Sequence, residues 1–282
     1  MNIKFLLTYT YPDSKYERWH SRSLNAIARY CSIHNYHLEI VNKNHHMIHN
    51  SLLSEGDKLN ALLRKAVRYY DAARSNADYF VLIDLDTLVL DFEKNIAKLI
   101  EPKKNYMSQF VLNAEKKLTN YWKTSKIELL KIFTGEENQK ELIDCDTGFS
   151  CVTKEFCANF VDYLSDSNLD LTSDTGLNNI YDMEKEIVNR IGGRGHTISD
   201  EHLLCLMYSN TNAERCLGVK NNNMCSSPYN VHYEPKYEAN EAMKNKYPLQ
   251  HYQSVEKMMF LNCIFHHMIG GPKEDNLFKL FQ

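Results

Sequence analysis

Residues 79–91 read Tyr-Phe-Val-Leu-Ile-Asp-Leu-Asp-Thr-Leu-Val-Leu-Asp. This apolar run predicts a buried strand that carries two carboxylates, Asp84 and Asp86. Side chains two positions apart on an extended strand point to the same face, so we expect the two carboxylates side by side. They would repel each other unless a cation lay between them, and a divalent metal suits hard oxygen ligands while keeping positions open for phosphate. The segment is therefore a candidate site for a metal-bound diphosphate, the alternative being a turn signal at the end of a strand.

The residues before this segment alternate between strand and helix patterns. A first strand is predicted at 2–10, a helix at 16–34 from apolar residues at helical spacing, and a second strand at 37–41. A helix from Gly56-Asp57 to about residue 75 then leads to the Asp-x-Asp strand. This order predicts parallel βαβ units, and open α/β sheets bind ligands at the carboxyl ends of their strands.

The chain after the Asp-x-Asp segment has a less regular pattern. The elements predicted there are a helix at about 92–100, an amphipathic helix at 116–143, a loop feeding a strand at 144–153, a helix at 155–165, a helix beginning at Asp200 with Ser199 as N-cap, and an irregular region at 217–252. The overall prediction is an α/β protein with a central mixed, mostly parallel sheet flanked by helices.

Size and composition narrow the functional class. The chain has 282 residues, a formal net charge of -3 and 43% hydrophobic residues, enough for a sizeable core in one large or two small domains. This charge balance gives no electrostatic footprint for nucleic acid. We see neither a signal peptide nor an apolar run of the ~18 residues that span a membrane, so a cytoplasmic location is expected.

Histidines and cysteines outside the strand give no strong metal signal. The eight cysteines include no Cys-x-x-Cys pair, so free buried thiols are expected rather than a zinc ribbon. His45, His46 and His49 lie in a polar stretch without carboxylates or cysteines, which favours a solvated loop over a metal cluster.

Two separated motifs together resemble one enzyme group. Asp-x-Asp at 84–86 and the tail His-Met-Ile-Gly-Gly-Pro-Lys at 267–273 resemble the GT-A glycosyltransferases, especially the retaining family 8 (the glycogenin-like group), which has Asp-x-Asp early and His-x-x-Gly-x-x-Lys near the C-terminus. The stretch 56–86 is also similar to family 34, and Asp-Thr-Gly-Phe at 146–149 is similar to the Asn-x-Gly-Phe/Val loop of both groups. Each motif alone is weak, whereas the ordered set is more specific.

The resemblance implies a single GT-A domain over residues 1–282. Residues 1–115 would bind the nucleotide sugar, and residues 116–282 would bind the acceptor and supply the C-terminal metal ligand. The implied activity is transfer of a hexose, with retention, from a nucleotide diphosphate sugar to an acceptor hydroxyl. The resemblance favours a UDP-sugar over a GDP-sugar as the donor. The acceptor would be a glycan, a glycolipid or a protein, and any contact with a membrane would be peripheral.

Five residues follow from the resemblance as ligands of the metal and the diphosphate. Asp84, Asp86 and His267 would hold Mn²⁺ (or Mg²⁺), since Mn²⁺ accepts both oxygen and nitrogen donors. Lys273 would place a point charge on the diphosphate, and Gly270 would let the backbone approach it closely. Structural or surface roles for His267 and Lys273 are the alternatives.

Other positions are expected near the donor. Thr8, Tyr9, Thr10 and Tyr11, at the end of the first strand, match where the family holds the nucleobase and ribose, and an aromatic ring there could stack on the base. Lys58 and Arg64 lie on the helix that precedes the strand with Asp84 and Asp86. In similar sequences this helix approaches the donor. An ordinary strand-to-turn segment and a solvated helix face are the respective alternatives.

The reacting carbon would lie near Asp200-Glu201-His202, where family 8 shows Asp-Gln-Asp. A carboxylate at Glu201 could act as nucleophile or stabilise an oxocarbenium-like centre, and Asp200, Asp144 and Asp146 could contact the sugar or the acceptor. Acids in the first turn of a helix also favour the macrodipole, which is the structural alternative.

Two other functions stay open at this point. A non-catalytic nucleotide-sugar- or carbohydrate-binding protein could share the fold. A nucleotidyltransferase usually carries a Gly-rich, basic loop after its first strand, whereas residues 10–14 here are Thr-Tyr-Pro-Asp-Ser.

Overall fold

A computed structural model describes residues 1–8, 14–41, 58–113, 121–192, 198–219, 222–226 and 263–267. The strands are β1 (Ile3–Thr8), β2 (His37–Val41), β3 (Tyr79–Asp84), β4 (Thr87–Val89), β5 (Tyr106–Asn113), β6 (Glu141–Thr153), β7 (Cys225–Ser226) and β8 (Phe265–His267). The helices are α1 (Ser14–Ile33), α2 (Lys58–Arg74), α3 (Tyr121–Thr134), α4 (Lys154–Asp166), α5 (Asp174–Ile191) and α6 (Asp200–Asn210), and a 3₁₀ turn spans Ile96–Lys98.

The main sheet has five strands in the order β2-β1-β3-β6-β5. Strand β1 pairs in parallel with both β2 and β3, whereas β6 runs antiparallel to β3 and to β5. Four strands therefore share one direction and β6 runs against them. The predicted α/β class with a central mixed, mostly parallel sheet is confirmed.

Both faces of β3 are buried, in two separate cores, because its alternate residues point to opposite sides of the sheet. Phe80 and Leu82 belong to the core that contains residues of α2 to α6. Tyr79, Val81 and Ile83 belong to the core that contains residues of α1 and of the small sheet. Asp84 follows Phe80 and Leu82 on the same face of β3, so its side chain is expected on the face of the sheet that packs against α2.

The strand order creates a switch point between β1 and β3. The chain leaves β1 through α1 to reach β2 on one side, then returns through α2 to β3 on the other side of β1. Ligands of open α/β sheets bind at such a point, beyond the carboxyl ends of the strands. Thr8 and Asp84, the last residues of β1 and β3, are partners in the register, so the carboxyl ends of both strands meet there.

A second sheet of three short strands, β4-β8-β7, lies beside this point. Strand β4 pairs antiparallel with β8, with Thr87 opposite His267. Phe265 attaches β8 to the core: its ring centroid lies 4.9 Å from that of Tyr30 and 5.2 Å from that of Phe149. The small sheet therefore joins a late segment of the chain to the end of β3.

Several predicted boundaries were wrong. The strand predicted over 79–91 breaks at Leu85-Asp86, which form a turn between β3 and β4, so Asp84 and Asp86 do not share one strand face. The helix expected at 92–100 is only the 3₁₀ turn, which Asn95 caps by accepting from the Ala97 N–H. Helix α3 ends at Thr134 instead of continuing to residue 143.

The region 141–153 is the largest error. A loop feeding a strand was predicted from residue 144, but the whole of 141–153 is the strand β6, and Asp144 and Asp146 lie inside it. Helix α5 had no sequence prediction. Helix α4 and helix α6 begin close to where they were expected, and Ser199 does precede α6.

None of the helices in the described ranges is long and apolar enough to cross a membrane. The division at residue 115 and the single GT-A domain stay predictions. All eight cysteines are free and buried, as expected.

Candidate metal and donor site

Three predicted ligands converge at the carboxyl end of β3. One ligand atom from each of Asp84, Asp86 and His267 lies within 4.8 Å of the other two. The Nε2 atom of His267 is 3.1 Å from Asp86 Oδ1 and 3.8 Å from Asp84 Oδ2. Since Asp84 ends β3, Asp86 lies in the following turn and His267 ends β8, the pairing of β4 with β8 is what brings the imidazole to the two carboxylates.

The geometry fits a small divalent cation. Two ligands about 2.1 Å from one ion and at right angles to each other lie about 3 Å apart, close to the separation between His267 and Asp86. Asp84 and Asp86 are partly exposed while His267 is buried. Two hard carboxylates and one imidazole, with one side open, suit Mn²⁺ or Mg²⁺ better than a closed structural zinc site.

Residues of β6 fix the imidazole from behind. A Cβ atom at Gly148 would lie 1.6 Å from His267 Cε1, so only glycine leaves room for the ring. Asp146 Oδ1 is 3.6 Å from His267 Nδ1 and accepts a hydrogen bond from the Gly148 N–H at 3.1 Å. Asp146 is thus placed behind a candidate ligand, on the side away from Asp86.

The carboxylates around His267 change its proton affinity. Burial lowers the pKa of His267, but Asp86 and Asp146 outweigh that effect and raise the pKa to about 10. A histidine must lose its proton to bind a metal, so a cation at this site would compete with that proton.

Two basic residues of α2 reach Asp84. Lys65 Nζ is 2.6 Å from Asp84 Oδ2, and the Arg68 guanidinium is 3.0 Å from Asp84 Oδ1. The same guanidinium lies 3.2 Å from Asp200 Oδ2, and the side chains of both residues are fully buried. Arg68 therefore links the end of β3 to the first turn of α6.

Glu201, the next residue of α6, is held by helix α3. Its Oε2 atom accepts from Trp122 Nε1 at 2.6 Å and from Lys126 Nζ at 2.9 Å, and its Oε1 atom accepts from the Thr147 N–H at 3.4 Å. Lys126 also forms an ion pair with Asp144 of β6. These contacts place Glu201 next to the β6 segment that supports His267.

His202 has a structural position. Its Nδ1 atom accepts from the Ser199 N–H at 3.3 Å, which leaves the proton of the neutral ring on Nε2, 2.8 Å from the Ser125 hydroxyl. Ser125 in turn donates to the Trp122 carbonyl. His202 thus caps the N-terminus of α6 and connects this helix to α3.

The site carries more negative than positive charge. Six carboxylates of the described residues lie here: Asp84, Asp86, Asp144, Asp146, Asp200 and Glu201. Against them stand the three basic side chains Lys65, Arg68 and Lys126, and the His267 imidazole, whose raised pKa keeps it protonated when no metal is bound. Such an excess is costly near the interior unless a cation balances it. The charges therefore agree with the ligand geometry.

The structure brings together most of the predicted residues that it describes. Asp84, Asp86 and His267 meet at the end of β3; Asp146, Asp200 and Glu201 lie around them, and the backbone of Thr8 pairs with that of Asp84. Tyr9, Thr10, Tyr11, Gly270 and Lys273 lie outside the described residues, as do the histidines at 45, 46 and 49. For Lys58 and Arg64 only the helical backbone is described.

Four site residues were missed from the sequence: Lys65, Arg68, Trp122 and Lys126. Lys65 and Arg68 lie three residues apart on one face of α2, while Trp122 and Lys126 lie four apart on α3. This spacing on one helix face was the only sequence sign that they could act together, but basic residues on amphipathic helices usually face solvent. Only the partners Asp84, Asp200 and Glu201 distinguish these from solvated ones.

No protein-family model matches the chain, and no curated protein is significantly similar to it. Among solved structures it is similar to a glycosyltransferase involved in the glycosylation of the major capsid of PBCV-1, at 12% identity and a TM-score of 0.48, over 97% of this chain and 95% of that one. It is also similar to an active-site mutant of LgtC, at 10% identity and a TM-score of 0.43, over 96% and 88% of the two chains. Because the identities and TM-scores are this low, we draw the function of this chain from its own residues and not from these two structures.

Proposed function

We propose that this protein is a metal-dependent glycosyltransferase. It would move a hexose, with retention of configuration, from a nucleotide diphosphate sugar, UDP-linked rather than GDP-linked, to a hydroxyl of a glycan, glycolipid or protein. The convergence of Asp84, Asp86 and His267 at the switch point of the sheet is the observation that carries the proposal. A diphosphate-binding cation belongs at such a position, because open sheets bind their ligands there.

Each residue has a proposed role. Asp84, Asp86 and His267 hold Mn²⁺ or Mg²⁺, which supplies Lewis-acid neutralisation of the diphosphate when bound. Thr8, Tyr9, Thr10 and Tyr11 contact the nucleobase and ribose of the donor, and Lys58 contacts the donor from helix α2. Gly270 and Lys273 contact its diphosphate. These assignments rest on the family resemblance.

The acidic residues on the other side of the site face the sugar. In this proposal Glu201 stabilises positive charge at the anomeric carbon or attacks it, and Asp200 and Asp146 orient the sugar and the acceptor. Arg68 supports this arrangement because it holds Asp84 and Asp200 together.

Nucleotide release from a panel of UDP- and GDP-sugars tests the proposal. We expect release that requires Mn²⁺ or Mg²⁺, disappears with EDTA and falls at least about 100-fold in Asp86→Ala, the order of loss for a missing electrostatic group. Asp162→Ala, an exposed carboxylate on α4, is the matched control and should match the wild type.

The alternatives give different results. Stabilisation by a nucleotide sugar without nucleotide release would identify a non-catalytic binder. Release of pyrophosphate from a nucleoside triphosphate would identify a nucleotidyltransferase. Either result, or release equal in wild type and Asp86→Ala, would overturn the proposal.

A further inference from the structure

A buried lysine, Lys126, connects helix α3 to the first turn of α6. Its side chain is 2% exposed, and its ammonium group donates to Glu201 Oε2 at 2.9 Å and to the Cys145 carbonyl at 3.0 Å, besides its ion pair with Asp144. Lysine is almost never this deeply buried unless its charge is paired. Asp144 alone would pair that charge, so the second carboxylate, Glu201, needs a separate explanation.

Glu201 is restrained on both of its oxygens. The Trp122 indole and Lys126 donate to Oε2, while the Thr147 N–H lies 3.4 Å from Oε1. The Glu201 side chain is nevertheless 15% exposed, whereas that of Asp144 is 3% exposed. Of the two acids that share Lys126, Glu201 is therefore the one that a ligand can reach.

We infer that Lys126 is a positioning residue that fixes the Glu201 carboxylate at the sugar side of the donor site. The inference rests on the proposed function, and it adds a residue that neither the sequence motifs nor the metal ligands indicate. Lys126 itself stays behind Glu201 and does not touch the substrate. A locked carboxylate loses no freedom when the donor binds, which is how a supporting residue increases the rate.

The charges around Glu201 agree with this role. Burial raises the pKa of Glu201, but Lys126, Lys65 and the Trp122 N–H outweigh it and lower the pKa to about 2. The charged groups that face it are Lys126 from α3, Lys65 from α2, Asp144 from β6 and Asp200 from its own helix. Glu201 is therefore an anion throughout the neutral and mildly acidic range.

The indole N–H resonance of Trp122 reports the state of Glu201 without any substrate. The chain contains two tryptophans, so Trp19→Phe leaves Trp122 as the single indole signal. In this background we expect no titration between pH 4 and 8. Lys126→Met should raise the pKa of Glu201 and bring a titration into this range, because the main positive charge is gone, whereas the signal of Lys126→Arg should not titrate.

Two further variants control the titration. Lys126→Met/Asp144→Asn removes one charge of each sign, so it tests the same point if the single variant fails to fold. Lys131→Met, on the same helix and ion-paired with Glu128, should leave the indole signal flat. A flat signal in both variants that lack Lys126 would overturn the inference.

Turnover then separates the inference from the proposed function. In Lys126→Met we expect kcat to fall about 100-fold, as for a misplaced catalytic group, with the KM for the donor and the Mn²⁺ affinity unchanged, and Lys126→Arg should recover part of the loss. Unchanged kcat in an active enzyme would overturn the inference alone. An inactive wild type would overturn the proposed function, and the indole titration would still decide the role of Lys126.

Discussion

Gly148 is the residue at which one methyl group should decide whether the metal site forms. A Cβ there would occupy the place of the His267 ring. We expect Gly148→Ala to turn the imidazole away from Asp86 and to weaken Mn²⁺ binding by about 10- to 100-fold, the range for loss of a group that orients a metal ligand. Titration calorimetry with Mn²⁺ measures this directly.

Gly135→Ala is the control for that substitution. Gly135 has a φ of 72° and no atom within 4 Å of an added Cβ. Its replacement should lower stability by about 1 kcal/mol through backbone strain while Mn²⁺ affinity stays at the wild-type value. Equal Mn²⁺ affinity in Gly148→Ala and the wild type would show that His267 is not a ligand.

Arg68 should be important for stability as well as for the site. Its fully buried guanidinium pairs with Asp84 and Asp200, so Arg68→Met leaves buried Asp200 without its partner. Removing one member of a buried pair typically costs about 3–5 kcal/mol of unfolding free energy, and urea denaturation would measure the loss. Arg190→Met removes solvent-screened ion pairs at the surface instead and should cost much less stability than Arg68→Met. Similar losses in the two variants would contradict the assignment of Arg68 as a buried bridge.

The sequence could indicate the metal ligands but not their supports. Asp84 and Asp86 stand out because two carboxylates follow an apolar strand, and His267 because its spacing to Gly270 and Lys273 matches a known motif. Lys126 has no such signal, since a lysine on an amphipathic helix looks the same whether it faces solvent or a buried glutamate. Its role depends on contacts between α3, α6 and β6, which only the folded chain defines.

At the scale of whole elements, β6 shows why local pattern failed. Asp144, Asp146 and Thr147 suggest a loop, yet all three are buried in the middle of a strand. Lys126 of α3 pairs with Asp144, and the neighbouring Gly148 N–H donates to Asp146, so both buried carboxylates have partners within the strand or across elements. The pairing of β6 with β3 and β5 then overrides its loop-like composition.

The pairing of β4 with β8 should become more stable when a cation binds. Asp86 precedes β4 and His267 ends β8, so a shared ion would link two strands that otherwise meet through three residue pairs. Binding to the folded state slows its local opening. We expect Mn²⁺ to slow amide hydrogen exchange in 87–89 and 263–267.

Strand β2, at the far edge of the main sheet, is the internal reference for that experiment. Its exchange should be the same with and without Mn²⁺, and Asp86→Asn should remove the protection of β4 and β8. An amide exchange rate in β8 that does not change with Mn²⁺ would argue against a cation shared between β4 and β8.

At the scale of the molecule, the site depends on contacts between distant parts of the chain. Asp84 and Asp86 come from the first third, Asp200 and Glu201 from α6, and His267 from near the C-terminus. The switch point of the sheet explains the place of Asp84, which the alternation of strands and helices predicted. The insertion of β6 between β3 and β5 and the small sheet were not predictable, because both depend on pairings between residues far apart in sequence.

A cation that joins such distant parts should raise the stability of the whole chain. At a Mn²⁺ concentration of 100 times its Kd, binding to the folded state alone adds about 2.7 kcal/mol. At about 2–4 °C per kcal/mol for a protein of roughly this size, the Tm should rise by about 5–10 °C. Thermal unfolding with and without Mn²⁺ measures the shift, which Asp86→Asn should abolish and Asp162→Asn should leave intact. A Tm that stays constant at millimolar Mn²⁺ would mean that the carboxylates and the imidazole meet without holding a metal, and that their charge is balanced by Lys65 and Arg68 instead.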